Sequence, residues 1–299
     1  MGKTLVKIFL GLFSWLPLKV HYFNARIIYV LVRYVARYRM REVTINLARC
    51  FPHMQYCEFK GAINGFYRHF SELVVEAIWF GGCRNPRRLK KADIMKIANP
   101  EVLNDAFEKA PSVMVLYSHT GNWELLGGIE NYSDVPTCMN EQNFCVVYRE
   151  MSSKAWDAAM KDNRFAPVKD KKHFEGYIES KNIMRYAVAH RREKKVYNMN
   201  TDQRPYFNSP EKHYVNFMGQ KVETMQGGAA LACKLGMAVL YLGQERTRRG
   251  HYDLRYTLIT EDAKTTTPED IMKRYYELLE ADIHKDPTNY LWTHRRWVE

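Results

Sequence analysis

The sequence lacks the signatures by which most enzyme classes can be read from residues alone. It contains no G-x-S-x-G elbow, no G-x-x-x-x-G-K-[ST] loop, no G-x-G-x-x-G and no H-E-x-x-H. The sequence cases for serine hydrolases, P-loop enzymes, dinucleotide binders and zincins go with them. Its six cysteines (Cys50, Cys57, Cys83, Cys138, Cys145 and Cys233) include no C-x-x-C pair and no zinc-site spacing. They read as reduced thiols of a cytosolic compartment, and no motif implies a metal or a cofactor. There is no repeat, low-complexity tract or Gly/Ser-rich linker, so one continuous domain is expected. No apolar run is long enough to cross a bilayer. The longest candidate, TLVKIFLGLFSWLPL (4–18), is broken by Lys7 and ended by Pro17, short of the roughly 20 residues a span needs. It also lacks the small-residue cleavage site of a secretory signal.

Acidic residues are in deficit. Asp and Glu number 33 against 45 Lys and Arg, a net charge of +12 over 299 residues. That balance favours a polyanionic partner: nucleic acid, anionic lipid or an acidic protein. No nucleic-acid recognition motif is visible and the basic residues are dispersed, so nucleic acid is not expected. The 46% hydrophobic and 13% aromatic content is that of a chain with a substantial core. In HYFNARIIYVLVRYVARYRMRE (21–42), Arg26, Arg33 and Arg37 recur at helical spacing, and Ile27, Leu31, Tyr34 and Tyr38 fall nearer the other side. Such a helix can lie in the headgroup layer with its arginines on anionic lipid. The alternative is a helix packed on the body with a solvated Arg face. Residues 1–40 are read as a membrane-associating helical segment and 41–299 as the domain it attaches.

Residues 55–80 carry apolar side chains at helical spacing. Beyond the turn signals GGCRNP the pattern changes to short strand candidates at 112–118, 143–149, 195–200 and 237–246. Helical patterns at 121–130, 152–162, 181–193 and 223–235 lie between them. This alternation predicts an α/β domain whose central sheet is largely parallel or mixed and flanked by helices. The segment 251–260 is expected to form a hairpin with the strand before it, and Pro268 to open a long helix.

One segment carries chemistry. In VMVLYSHTGNWELLGG (113–128) an apolar strand runs into His119, followed by Gly121, Asn122 and Glu124. Ligand sites in α/β sheets collect at the C-terminal ends of strands. Gly121 permits a sharp turn, Asn122 suits a helix cap, and Glu124 falls in the first turn, where the helix dipole favours a carboxylate. A carboxylate on one imidazole nitrogen fixes the tautomer and raises the basicity of the other, which can then deprotonate a hydroxyl. The spacing alone is also compatible with an ordinary structural histidine. Thr224, Gly227 and Gly228 precede a helical pattern, and backbone N–H groups there are suited to a phosphate or an oxyanion.

HTGNWE resembles the H-x-x-x-x-[D/E] motif of the lysophospholipid acyltransferase superfamily. More narrowly, the chain resembles the late acyltransferases of lipid A biosynthesis, the lauroyl and myristoyl transferases of Gram-negative bacteria. NLARCFPHM (46–54), FYRHFSELVVE (66–76), VVYRE (146–150), TDQRP (201–205), the segment 215–240 and NYLWTHRRW (289–297) resemble that family's blocks in the same order. The resemblance implies that His119 is the general base and Glu124 its partner. It implies that Arg149 engages an anionic substrate group and that Asp202 and Gln203 shape the pocket or the acceptor site. Thr224, Gly227 and Gly228 would belong to a substrate-lining loop. Arg204-Pro205 departs from the small or acidic residue usual after Asp-Gln and leaves the acceptor contacts open. The implied donor is acyl carrier protein or acyl-CoA, and the acceptor a lipid A precursor. A lysophospholipid, an ornithine-type aminolipid or another glycolipid would keep the same chemistry, and a non-catalytic membrane-peripheral protein would keep only the fold. The implied location is the cytoplasmic face of the inner membrane. The other histidines, His294 among them, stand in no comparable setting, and the aromatic helix 66–79 is read as core before acyl tunnel.

Overall fold

The apolar runs Met95–Ile97 (β1), Val113–Tyr117 (β2), Phe144–Tyr148 (β3), Tyr177–Glu179 (β4) and Val196–Asn200 (β5) share one sheet with Ala238–Arg248 (β8) and His251–Thr260 (β9). Tyr214–Phe217 (β6) and Gln220–Glu223 (β7) form a separate antiparallel hairpin. In this computed structural model, which describes residues 10–151, 153–205 and 212–297, the sheet order is β1-β9-β8-β2-β5-β3-β4. Every pairing in it is parallel except β8 with β9, the expected hairpin.

The sheet is covered on both faces, which is why its central strands are continuously apolar instead of alternating. Successive residues of β2 enter different cores. Met114 and Leu116 join one with Tyr197, Val239 and Tyr241, whereas Val113, Val115 and Tyr117 join the other with Val196, Leu240 and Leu242. The covering helices are Leu18–Val30 (α1), Met40–Cys50 (α2), Tyr56–Phe80 (α3), Pro86–Ala92 (α4), Pro100–Lys109 (α5), Lys154–Arg164 (α6), Ile183–Ala189 (α7), Gly227–Leu235 (α8) and Pro268–Lys285 (α9). Helix α3 opens with a capping box in which Gln55 and Glu58 satisfy each other's backbone N–H groups. Pro268 sits in the first turn of α9, capped by Thr267. The segment 121–130 is not an α-helix. It becomes 3-10 turns over Trp123–Asn131.

Helix α1 runs on through a π-helical turn, Leu31–Val35, and packs against α3. Its faces differ from the expected ones. Arg33 turns inward, donating to Asn64 Oδ1 at 3.1 Å and lying over the Tyr67 ring. Phe23, Ile27, Val30, Leu31 and Val35 are left exposed. No helix among the described residues is long and apolar enough to cross a membrane. Residues 4–9 of the apolar N-terminal stretch lie outside the described residues.

Candidate active site

Parallel register builds the site. Tyr117 is paired with Asn200 across β2 and β5, and two residues beyond that pair, at the C-terminal edge, stand His119 and Asp202. Their side chains meet: His119 Nδ1 donates to Asp202 Oδ1 at 2.7 Å. Asp202 is 1% exposed. Burial acts to raise its pKa, but the facing charge and hydrogen bond of His119 hold the carboxyl below its ordinary value. In the neutral ring, with Nδ1–H committed to Asp202, Nε2 is left as an acceptor. Gln203 Nε2 donates to it at 2.9 Å and reaches His294 Nε2 at 2.9 Å. Burial and the neighbouring His119 push His294 down to about 4, so it serves as a neutral acceptor.

The loop after β2 is shaped by Gly121, at φ +61°, where a Cβ would lie 2.8 Å from the Gln244 side chain. The C-terminal tail braces it. Gly121 N–H donates to Asn289 C=O, and Leu291 N–H to His119 C=O, each at 3.0 Å. Asn46, in the 46–54 block, fixes that tail by donating to the carbonyls of Trp292 and His294.

Glu124 is not placed as His119's partner. Its carboxylate is held by Arg164, with Nε donating to Oε2 at 2.6 Å and Nη2 to Oε1 at 2.7 Å, and Trp123 Nε1 adds a third bond at 3.1 Å. Burial would raise the Glu124 pKa, but the Arg164 charge outweighs it and the carboxyl stays ionised. The carboxylate in hydrogen-bond contact with His119 is Asp202. Trp123 packs beside His119, its ring edge-on with centroids 4.8 Å apart. Nor does Asn122 cap a helix. Its amide points away, donating to Glu76 on α3.

A cavity of about 740 Å³ opens at this edge of the sheet. His119, Glu124, Arg149, Gln203, Thr224, Gly227 and Gly228 all line it, with Asp202 behind His119. Arg149 follows β3, the strand beside β5, so three strand ends converge on the cavity. The inner wall is apolar, from Phe144, Val146, Ile183, Met184 and Met199. Thr224 Oγ1 and Asn200 Oδ1 are buried in it without a hydrogen-bond partner among the described residues. The volume and lining are those of a site for a ligand with a long apolar part and a few polar contacts.

The sequence matches the family described as bacterial lipid A biosynthesis acyltransferase over residues 1–299. The chain belongs to this family. No curated protein matches it. As a lipid A acyltransferase family member it carries an acyl-transfer fold acting on lipid acceptors. Its cavity gathers all but one of the residues the blocks singled out; Asp202 touches His119 from behind. Arg164, Asn200 and His294 are among the lining or contacting residues that sequence reading passed over. Arg164 closes a helix pattern like any surface arginine, and His294 shows its role only once the tail folds back. The aromatic side chains of α3 between Phe66 and Trp79 pack into or against the cores and not into this cavity.

Proposed function

We propose that the protein transfers a fatty acyl group from an acyl thioester, acyl carrier protein foremost and acyl-CoA second, to a hydroxyl of a lipid A precursor. His119 is the general base. Asp202 holds Nδ1–H and leaves Nε2 with its lone pair toward the cavity. The acceptor hydroxyl takes the place of the Gln203 amide at Nε2, and its proton passes to Nε2 as the oxygen attacks the thioester carbonyl carbon. The tetrahedral intermediate collapses, the C–S bond breaks, and the thiolate recovers the proton from the imidazolium. General base catalysis of this kind contributes about 10²–10⁴-fold. The oxyanion is met by donors of the cavity wall, for which Thr224 Oγ1, the backbone N–H groups of Gly227 and Gly228 and the Arg149 guanidinium are the candidates. A good donor contributes about 3–4 kcal/mol.

The observation that carries this reading is the 2.7 Å contact of His119 with buried Asp202 beside an apolar-walled cavity. Among the described residues no Ser or Cys side chain hydrogen-bonds to His119, which supports direct attack without an acyl-enzyme. We take residues 1–40 as the membrane-associating segment and 41–299 as the acyltransferase domain, at the cytoplasmic face of the inner membrane. The exposed apolar strip of α1 supports peripheral attachment there, with anionic lipid drawn by the net charge of +12.

The test is acyl transfer by detergent-purified protein from labelled acyl carrier protein to a lipid A precursor, with His119→Ala alongside. Transfer by the wild type that disappears in the folded variant is expected. Transfer surviving in the variant removes His119 from its role. Transfer only to a lysophospholipid or an aminolipid changes the acceptor and keeps the mechanism.

A further inference from the structure

A third carboxylate lies behind the catalytic loop and outside the mechanism above. Glu76, on α3, is 0% exposed. It accepts three hydrogen bonds: from Asn122 Nδ2 at 2.8 Å, from the Tyr252 hydroxyl at 2.9 Å and from the Tyr22 hydroxyl at 3.0 Å. The donors come from three elements. Asn122 belongs to the loop between His119 and Glu124, Tyr252 to β9, and Tyr22 to α1.

The Tyr22 end is as constrained as the Asn122 end. Arg249 lies over the Tyr22 ring, 4.5 Å from its centroid, and donates to the Tyr22 carbonyl at 3.0 Å. The Tyr22 hydroxyl passes so close to Gly250, at φ +72°, that a Cβ there would collide with it. Arg246 and Arg249 both pair with Glu72, one turn before Glu76 on α3. Their charge is engaged there, and the hydrogen-bond donors at Glu76 are all neutral. Burial pushes the Glu76 carboxyl up to about 7, and the three donors oppose that push. What a carboxylate adds is two acceptor oxygens that can tie three elements together.

We propose that Glu76 is a positioning residue through which the N-terminal helix sets the catalytic loop, Tyr22 fixing the carboxylate and the carboxylate fixing Asn122. The inference rests on the reading of His119 as the base. Helix α1 presents its apolar strip outward and Tyr22 inward, so the loop that carries His119 and Glu124 is tied to the seating of the helix proposed to meet the membrane.

The experiment compares Tyr22→Phe, Glu76→Leu and Glu76→Gln in the full chain. It reads kcat, KM and the ring ¹⁵N and ¹H signals of His119 in ¹⁵N-histidine-labelled protein. Tyr22→Phe keeps the ring and deletes one donor; kcat is expected to fall about tenfold, the worth of one hydrogen bond to a charged group, with KM held and the His119 signals shifted. Glu76→Leu shifts them further. Glu76→Gln retains an oxygen for Asn122 and Tyr252 and an amide for the Tyr22 hydroxyl to accept, so it restores kcat and signals toward wild type. Tyr29→Phe, on the same helix, leaves both unchanged. A purely structural role lowers Tm while the His119 signals of the folded variants stay fixed, and that result overturns the proposal. Shifted His119 signals in a protein that transfers no acyl group would uphold the positioning and discard the acyl-transfer reading.

Discussion

The Arg164 guanidinium grips the Glu124 carboxylate at two points, 2.6 and 2.7 Å, in the wall of the cavity. Removing one partner of such a pair strands the other as a buried charge. Arg164→Gln is expected to destabilise the fold by about 3–5 kcal/mol in chemical denaturation. Arg164→Gln combined with Glu124→Gln, which leaves no charge to strand, should recover most of that loss. A double variant no more stable than the single one would show that the clasp does not hold this wall together.

The two carboxylates near His119 are predicted to separate kinetically. Asp202→Asn preserves shape but no longer fixes the Nδ1–H tautomer, and kcat should fall about 10²–10⁴-fold with the fold intact. Glu124→Gln leaves the His119–Asp202 contact in place, so its main loss should appear in Tm, from the unpaired Arg164, with a smaller loss in kcat. Steady-state kinetics beside thermal melts distinguish the two. A near-normal Asp202→Asn and an inactive, stable Glu124→Gln would return the orienting role to Glu124.

Which carboxylate faces His119 was not legible along the chain. Five residues separate His119 from Glu124, and the strand, histidine, glycine and acid pattern makes that pair the natural reading. Asp202 enters only because β5 is the parallel neighbour of β2 in register, Tyr117 beside Asn200. Periodicity reveals that a segment is a strand but not which strand lies next to it. For the same reason the five longer strands of the sheet were readable from their apolar runs, whereas three-residue β1 and β4 carry too short a pattern. The hairpin β6–β7 is hidden differently: its outer residues alternate with polar ones and only Phe217 and Val222 are buried. Glu76 is obscured in turn, because an acid in an amphipathic helix reads as a solvated face until its three donors are seen.

Acid should unfold the protein partly through His69. Burial pushes this residue down to about 3 from an ordinary 6.5, with the Arg246 charge adding to the effect, and neither ring nitrogen has a hydrogen-bond partner among the described residues. The unfolded chain takes up a proton below 6.5 while the folded one does not until near 3. Stability due to His69 is therefore complete above 6.5 and is lost as pH falls toward 3. Glu76, raised to about 7, has the opposite sign, its contribution being lost as pH rises through 7. Between pH 7 and 5 the His69 loss comes to about 2 kcal/mol. His69→Leu should lack that loss while keeping the Glu76 contribution, so the difference between the two pH slopes isolates the histidine. Parallel slopes for wild type and variant would mean that His69 takes its proton in the folded state.

The exposed strip Phe23, Ile27, Val30, Leu31 and Val35 on α1 and the turn after it predicts how the protein meets lipid. Inserting one large apolar side chain is worth about 1.5–3 kcal/mol, so Phe23→Asp with Ile27→Asp should lower partitioning into vesicles by at least about tenfold per substitution. Both side chains are exposed in the folded chain, and Tm should hardly change. Arg26 and Arg37 are exposed beside the strip, and each basic residue near an anionic surface adds about 1 kcal/mol, screened by salt. Cosedimentation with phosphatidylglycerol vesicles should thus exceed that with phosphatidylcholine at low ionic strength, and the gap should narrow in high salt, while the apolar contribution persists. Equal partitioning of wild type and the double variant into both vesicle types would place the membrane contact elsewhere on the molecule. Loss of the anionic preference alone would leave the strip as the contact and remove the arginines from it.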